Sequence, residues 1–110
     1  MTEQLFELPE SYLAIIEETK KVAQQVAPYA HRADEADHFD PDVRQILAKS
    51  GLCSLTVPKK FGGRFEEVDS LAVTVVREQL AYESAHVDSM FCMQGIGSYA
   101  LAQAGSPALQ

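Results

Sequence analysis

After Asp88 the chain has no charged residue before its end. No other feature limits the fold so strongly. The stretch from about Val87 to Gln103 has the composition of a helix that is apolar on most sides. Such a helix is buried on most sides, so the expectation is a central helix with the others around it.

Those others are punctuated clearly. Ile15, Ile16, Thr19, Val22, Ala23, Val26 and Ala30 recur at spacings of three and four, which marks one buried stripe of a helix entered near Pro9. Pro28 predicts a kink or tightening there, since proline cannot supply the helical N–H. Asp40 and Pro41 open a short second helix as N-cap and first residue. Val43, Ile46 and Leu47 form its apolar face, and Gly51 is its left-handed stop. Leu52 to Pro58 could pass for a strand, but one strand without a partner is not stable; the expectation is an extended, buried loop. Lys59 to Gly63 reads as a turn. A third helix follows from about Ser70 to Glu83, with Asp69 as cap and Leu71, Ala72, Val75, Val76, Gln79 and Leu80 inward. The long helix is fourth, ended by Gly105. Ser106 and Pro107 then cap and start another, which has only Ala108, Leu109 and Gln110 to follow. A helix that short does not hold itself together, so the polypeptide is expected to continue. The fold class is all-α: a bundle-like domain of four main helices plus the start of a fifth. Its 110 residues fit one domain.

The net charge of -7 argues against nucleic acid or an anionic membrane as partner, because both require a basic face. The first residues lack a signal or transit pattern, and no apolar run approaches the roughly 20 residues of a membrane helix. The expected location is the cytoplasm. Cys53 and Cys92 belong to no CxxC or Cys/His cluster and read as reduced, buried thiols. His31, His38 and His86 are scattered, so no metal site is expected. Gly95-Ile96-Gly97 and Gly62-Gly63 lack the strand-then-helix setting of a nucleotide loop. The carboxylate groups Asp34-Glu35 with Asp37, and Glu66-Glu67 with Asp69, lie in polar segments and read as solvated surface. No catalytic set emerges.

Three stretches together carry a resemblance. The first is Val26-Ala27-Pro28-Tyr29-Ala30, followed by Asp34-Glu35-Ala36-Asp37. The second runs from Leu47 through Gly51-Leu52 and Val57-Pro58 to Phe61-Gly62-Gly63, similar to a signature LxxxGLxxxxVPxxYGG. The third is Glu78-Gln79-Leu80-Ala81-Tyr82, leading into the uncharged helix that ends at Ala104-Gly105. In order and spacing they resemble the N-terminal domain of acyl-CoA dehydrogenases, across nearly the whole chain. Phe61 stands where a tyrosine is usual, and Lys59-Lys60 where an acidic pair is common. Arg64 to Glu67 replaces a glycine-rich continuation. These departures leave the subfamily open.

The resemblance implies an enzyme that binds an acyl thioester, on CoA or an acyl carrier protein, against FAD. In that family a glutamate removes the α-proton while the β-hydride passes to the flavin. An electron-transfer flavoprotein commonly reoxidises it, and the enzymes are commonly tetrameric. The flavin is held mostly by a middle β-domain and a C-terminal helical domain, and the base also lies outside this segment. By the same resemblance this domain forms one wall of the acyl pocket. Asp88, Ser89, Cys92 and Ile96 fall on its pocket-facing positions, spaced to share one helix face. Packing on a neighbouring helix is the other reading of that face. Asp88 could select a substrate with a polar far end, or simply favour the helix dipole as an N-terminal acid. An acyl-CoA oxidase or flavin monooxygenase of the same superfold is the alternative enzyme. A non-catalytic helical module binding a partner protein is the alternative of another class.

Overall fold

A computed structural model describes residues 7–110. The helices are α1 (Glu10–Val26), α2 (Ala30–Glu35), α3 (Pro41–Ser50), α4 (Ser70–Glu83) and α5 (Ala85–Ala104). Among the described residues there is no strand, only an isolated bridge between Pro58 and Phe65. The all-α expectation of four main helices therefore holds, with α2 as a short continuation of α1.

The α1 stripe does what its spacing requires. Ile15, Thr19, Val22, Ala23 and Val26 are buried, and α1 packs chiefly on α4. Thr19 sits in that dry seam because its hydroxyl donates to the Ile15 carbonyl at 2.7 Å, which leaves no polar atom unpaired. At Pro28 the chain tightens into a 3-10 turn over Ala27–Tyr29 and resumes as α2.

The caps are where the sequence marks them. Asp40 accepts from the N–H groups of Asp42 and Val43, and Asp69 from those of Leu71 and Ala72. Gly51 ends α3 at φ 83°, a left-handed value that side chains rarely tolerate. Two of the acids expected in solvent hold the fold together instead. The Tyr12 hydroxyl donates to Asp69 at 2.6 Å, tying α1 to the start of α4. Asp34 accepts from the Ser84 hydroxyl and the His86 N–H, tying α2 to the start of α5.

Leu52 to Pro58 departs from expectation. It is buried, as expected, but coiled: a 3-10 turn spans Leu52–Thr56, with Leu52, Leu55 and Thr56 inside. The Ser54 N–H donates to the Gly51 carbonyl and the Thr56 hydroxyl lies 2.8 Å from the Cys53 carbonyl, so local partners satisfy groups that an extended loop would leave open. Arg64 clamps this turn to α1, with two bonds to the Glu18 carboxylate and one to the Gly51 carbonyl. Gly63 is needed for space: a Cβ there would stand 1.5 Å from the Val57 carbonyl oxygen.

The second departure concerns α5. Only Val87, Met90 and Phe91 are buried, all in its first half. Met93 (62%), Ile96 (60%) and Tyr99 (52%) are largely exposed. The Cα trace is only 18 Å deep along its thinnest axis. That depth holds about two helix layers at 8–10 Å spacing, and two layers cannot surround a helix. Within this chain α5 packs on α2, α3, α4 and the Leu52–Thr56 turn, as a central helix should, but only its first half is covered.

Candidate functional site

A hollow of about 300 Å³ opens between α4 and α5. Its construction follows from the helix spacings. Val73 and Arg77 project from α4, and Phe91, Cys92, Gly95, Ile96 and Tyr99 from α5, with Thr56 and Val68 beside them. Phe91 is fully buried and Thr56 nearly so. Gly95 sets the approach of α5 to the 3-10 turn: a Cβ there would meet the Thr56 methyl at 3.1 Å, so a larger residue would push the two apart. Gly97 faces nothing within 4 Å. Thr56 is further held by Gln94, whose side-chain amide lies 2.9 Å from its hydroxyl and 2.6 Å from that of Ser98.

Apart from Thr56 and the tyrosine hydroxyl, the lining has one strongly polar member, Arg77. It pairs across the helices with Asp88, Nε to Oδ1 at 2.9 Å and Nη2 to Oδ2 at 3.1 Å. The Asp88 side chain is 15% exposed against 45% for Arg77. The Asp88 hydrogen bonds push the Arg77 pKa upward, so the guanidinium stays charged.

Of the four residues singled out by sequence, Cys92 and Ile96 line the hollow together. Asp88 reaches it through Arg77 rather than as part of the lining. Ser89 is exposed and lies outside the lining. Tyr99 continues the spacing from Ile96 by three and was legible on that basis. Val73 and Arg77 come from α4, and no signal along the chain announces that they oppose α5.

The N-terminal end of α5 is built firmly. Ser84, which sequence reading passed over, is its N-cap and accepts from the Val87 N–H. The Asp40 N–H donates to His86 Nε2 at 3.0 Å, which joins the α3 cap to α5. Arg32 in turn bonds the Asp40 carboxylate twice, at 2.7 and 2.9 Å. That hydrogen bonding holds the Asp40 pKa at about 2, below its ordinary 3.8.

A second hollow, about 400 Å³, lies between α3 and α5 near Phe39, Leu47 and Met93. None of the four residues above belongs to its lining. Both cysteines are free and half-buried, and burial pushes the Cys53 thiol pKa up. Among the described residues no group of acids, histidines and cysteines could hold a metal ion, and no helix is long and apolar enough to cross a membrane. The Gly62 and Gly63 N–H groups are spent on the Lys59 and Pro58 carbonyls, and Gly95 is closed against Thr56.

Comparison with known proteins is consistent over nearly the full length. The acyl-CoA dehydrogenase N-terminal domain matches residues 9–110. A cyclohexane-1-carbonyl-CoA dehydrogenase of Geobacter metallireducens is 30% identical over 103 residues, covering 93% of this chain and 27% of that protein. A probable acyl-CoA dehydrogenase of Mycobacterium tuberculosis is 28% identical over 107 residues, covering 96% and 27%. A cyclohex-1-ene-1-carbonyl-CoA dehydrogenase of Syntrophus aciditrophicus is 30% identical over 105 residues, covering 94% and 25%. The chain spans about a quarter of the length of these curated relatives. No solved structure matches it. With a domain match from residue 9 to residue 110, the chain belongs to the acyl-CoA dehydrogenase family.

Proposed function

We propose that this chain serves as the N-terminal helical domain of an FAD-dependent acyl-CoA dehydrogenase, which introduces an α,β double bond into an acyl thioester. The hollow between α4 and α5 forms one wall of its acyl pocket. One observation carries this reading: the hollow is lined almost wholly by apolar groups, with a single charged residue at its side. An acyl chain requires such a surface, with few polar groups to fix its orientation. In this proposal FAD and the catalytic base belong to other domains of a cytoplasmic homotetramer, and an electron-transfer flavoprotein takes up the electrons. FAD supplies the hydride acceptor. The residues of this chain bind the acyl group, orient it and keep water from it. Cys92 and Ile96 touch the chain, while Ser89 stands at the edge.

The test uses the complete, flavin-loaded enzyme with saturated acyl-CoA thioesters of graded length and an artificial electron acceptor. Ile96→Trp places bulk in the hollow. We expect KM for the longer thioesters to rise roughly tenfold or more, the scale on which pocket volume discriminates. A complete enzyme that oxidises no acyl-CoA would overturn the reading. An unchanged length profile in the Ile96→Trp enzyme would remove the hollow from it.

A second reading draws on the exposed Met93, Ile96, Tyr99 and Leu101. An apolar face of that kind also suits a helical module that binds a partner protein. It requires the 110-residue chain to form a stable complex without any thioester oxidation by the complete protein.

A further inference from the structure

The link between α2 and α3 is held by few bonds, and one of them depends on a proton. Among the described residues no backbone–backbone hydrogen bond holds residues 37–39. The link is pinned instead at Asp40. Its carboxylate takes two bonds from Arg32, and its N–H donates to His86 Nε2 at 3.0 Å. The two pins answer to pH differently. Arg32 stays charged, because its bonds to Asp40 and Asp42 push its pKa up, and the Asp40 pKa lies at about 2. An imidazole nitrogen accepts only while it carries no proton. With a proton on Nε2, two N–H donors face each other and the ring has to turn away. Phe39 lies edge-on to the same ring, with centroids 6.0 Å apart, so the ring cannot turn without leaving that contact as well.

We propose that His86 is a proton-operated latch: as the neutral imidazole it holds the α2–α3 link against the start of α5, and as the imidazolium it lets the link go. The charges around the ring suit both states. Asp34, on α2, accepts the His86 backbone N–H, and Asp37 and His38 line a hollow together with the ring. Asp34 and Asp37 give a charged ring carboxylates to turn toward. The Asp40 carboxylate is already neutralised by Arg32, which also holds Asp42. Asp88, on α5 itself, is paired with Arg77. Glu83, at the end of α4, lines a different hollow beside Lys20. Of all these groups only the histidines ordinarily change charge between pH 8 and pH 5. The bond is therefore complete at the upper end of that range and lost toward the lower. The latch does not depend on what the acyl hollow binds.

Hydrogen exchange of the complete protein tests this, read by mass spectrometry on peptides spanning residues 36–44 and corrected for the intrinsic rate at each pH. Protection in these peptides is expected to fall roughly 3- to 10-fold from pH 8 to pH 5, the scale of one hydrogen bond. Peptides from α4 should keep theirs. His86→Phe retains a ring for Phe39 but offers no acceptor, so its protection should be low at both pH values. His86→Gln, whose amide oxygen accepts at every pH, should hold its protection down to pH 5. His38→Gln should show the full difference. Equal protection of the unaltered protein at the two pH values overturns the inference, whatever the variants do. So does a pH difference that survives in both His86 variants, or one that disappears in His38→Gln. Should His86→Phe fail to fold, the unaltered protein, His86→Gln and His38→Gln decide the matter.

Discussion

The two halves of α5 share a helix and a near absence of charge, yet they meet opposite surroundings. The first half is anchored at every level. Ser84 and Asp34 cap its N–H groups, Asp88 pairs with Arg77, and Val87 and Phe91 are fully buried. The second half keeps Ile96 and Tyr99 more than half exposed. Sparse charge therefore marks an apolar surface, buried in the first half and open in the second.

The largest way to break this contrast is to remove its centre. Phe91→Ala should destabilise the chain by about 3–5 kcal/mol, since a buried aromatic leaves a cavity, whereas Ile96→Ala should cost under about 0.5 kcal/mol. Urea unfolding of the two variants checks this, and comparable losses would erase the distinction. Ser84→Ala removes both the cap and the donor to Asp34, with an expected loss of about 1–2 kcal/mol in the same experiment.

The glycines sharpen the contrast inside the second half. Gly97→Ala should stabilise the helix by about 1 kcal/mol, because the added methyl meets nothing and the helical propensity improves. Gly95→Ala should gain clearly less, or lose, as its methyl presses on Thr56 at 3.1 Å. Thermal unfolding read by circular dichroism separates the two.

The smallest effect is on pH. The Asp40 pKa is depressed, so its contribution is complete above about pH 4 and fades as pH falls through about 2. Because Asp40 caps α3, hydrogen exchange over that window should quicken first around the start of α3. The exposed second half of α5 should change little.

Much of this was readable along the chain because its causes are local. The stripe of α1, the tightening at Pro28, and the caps at Asp40, Gly51 and Asp69 each depend on residues a few positions apart. The coil at Leu52–Thr56 differs from the extended loop that its composition suggests, because that composition suits either form and partners such as the Gly51 and Cys53 carbonyls favour the coil. In the site, Cys92 and Ile96 share a helical face that spacing reveals. Arg77 was invisible as their neighbour, since nothing in residues 70–83 states which side of α4 lies against α5.

The sequence by itself determined most of the helix ends, the apolar stripe of α1, and the motifs that set the family. Periodicity and capping chemistry act within a turn or two of helix, so the order of residues specifies them directly. Only the tertiary structure decided what each face meets. It turned Asp34 and Asp69 from surface acids into tethers, left the second half of α5 exposed, and gave Asp88 its partner in Arg77. Those outcomes depend on contacts between residues distant in sequence, and such contacts are settled by how the packed layers fit together.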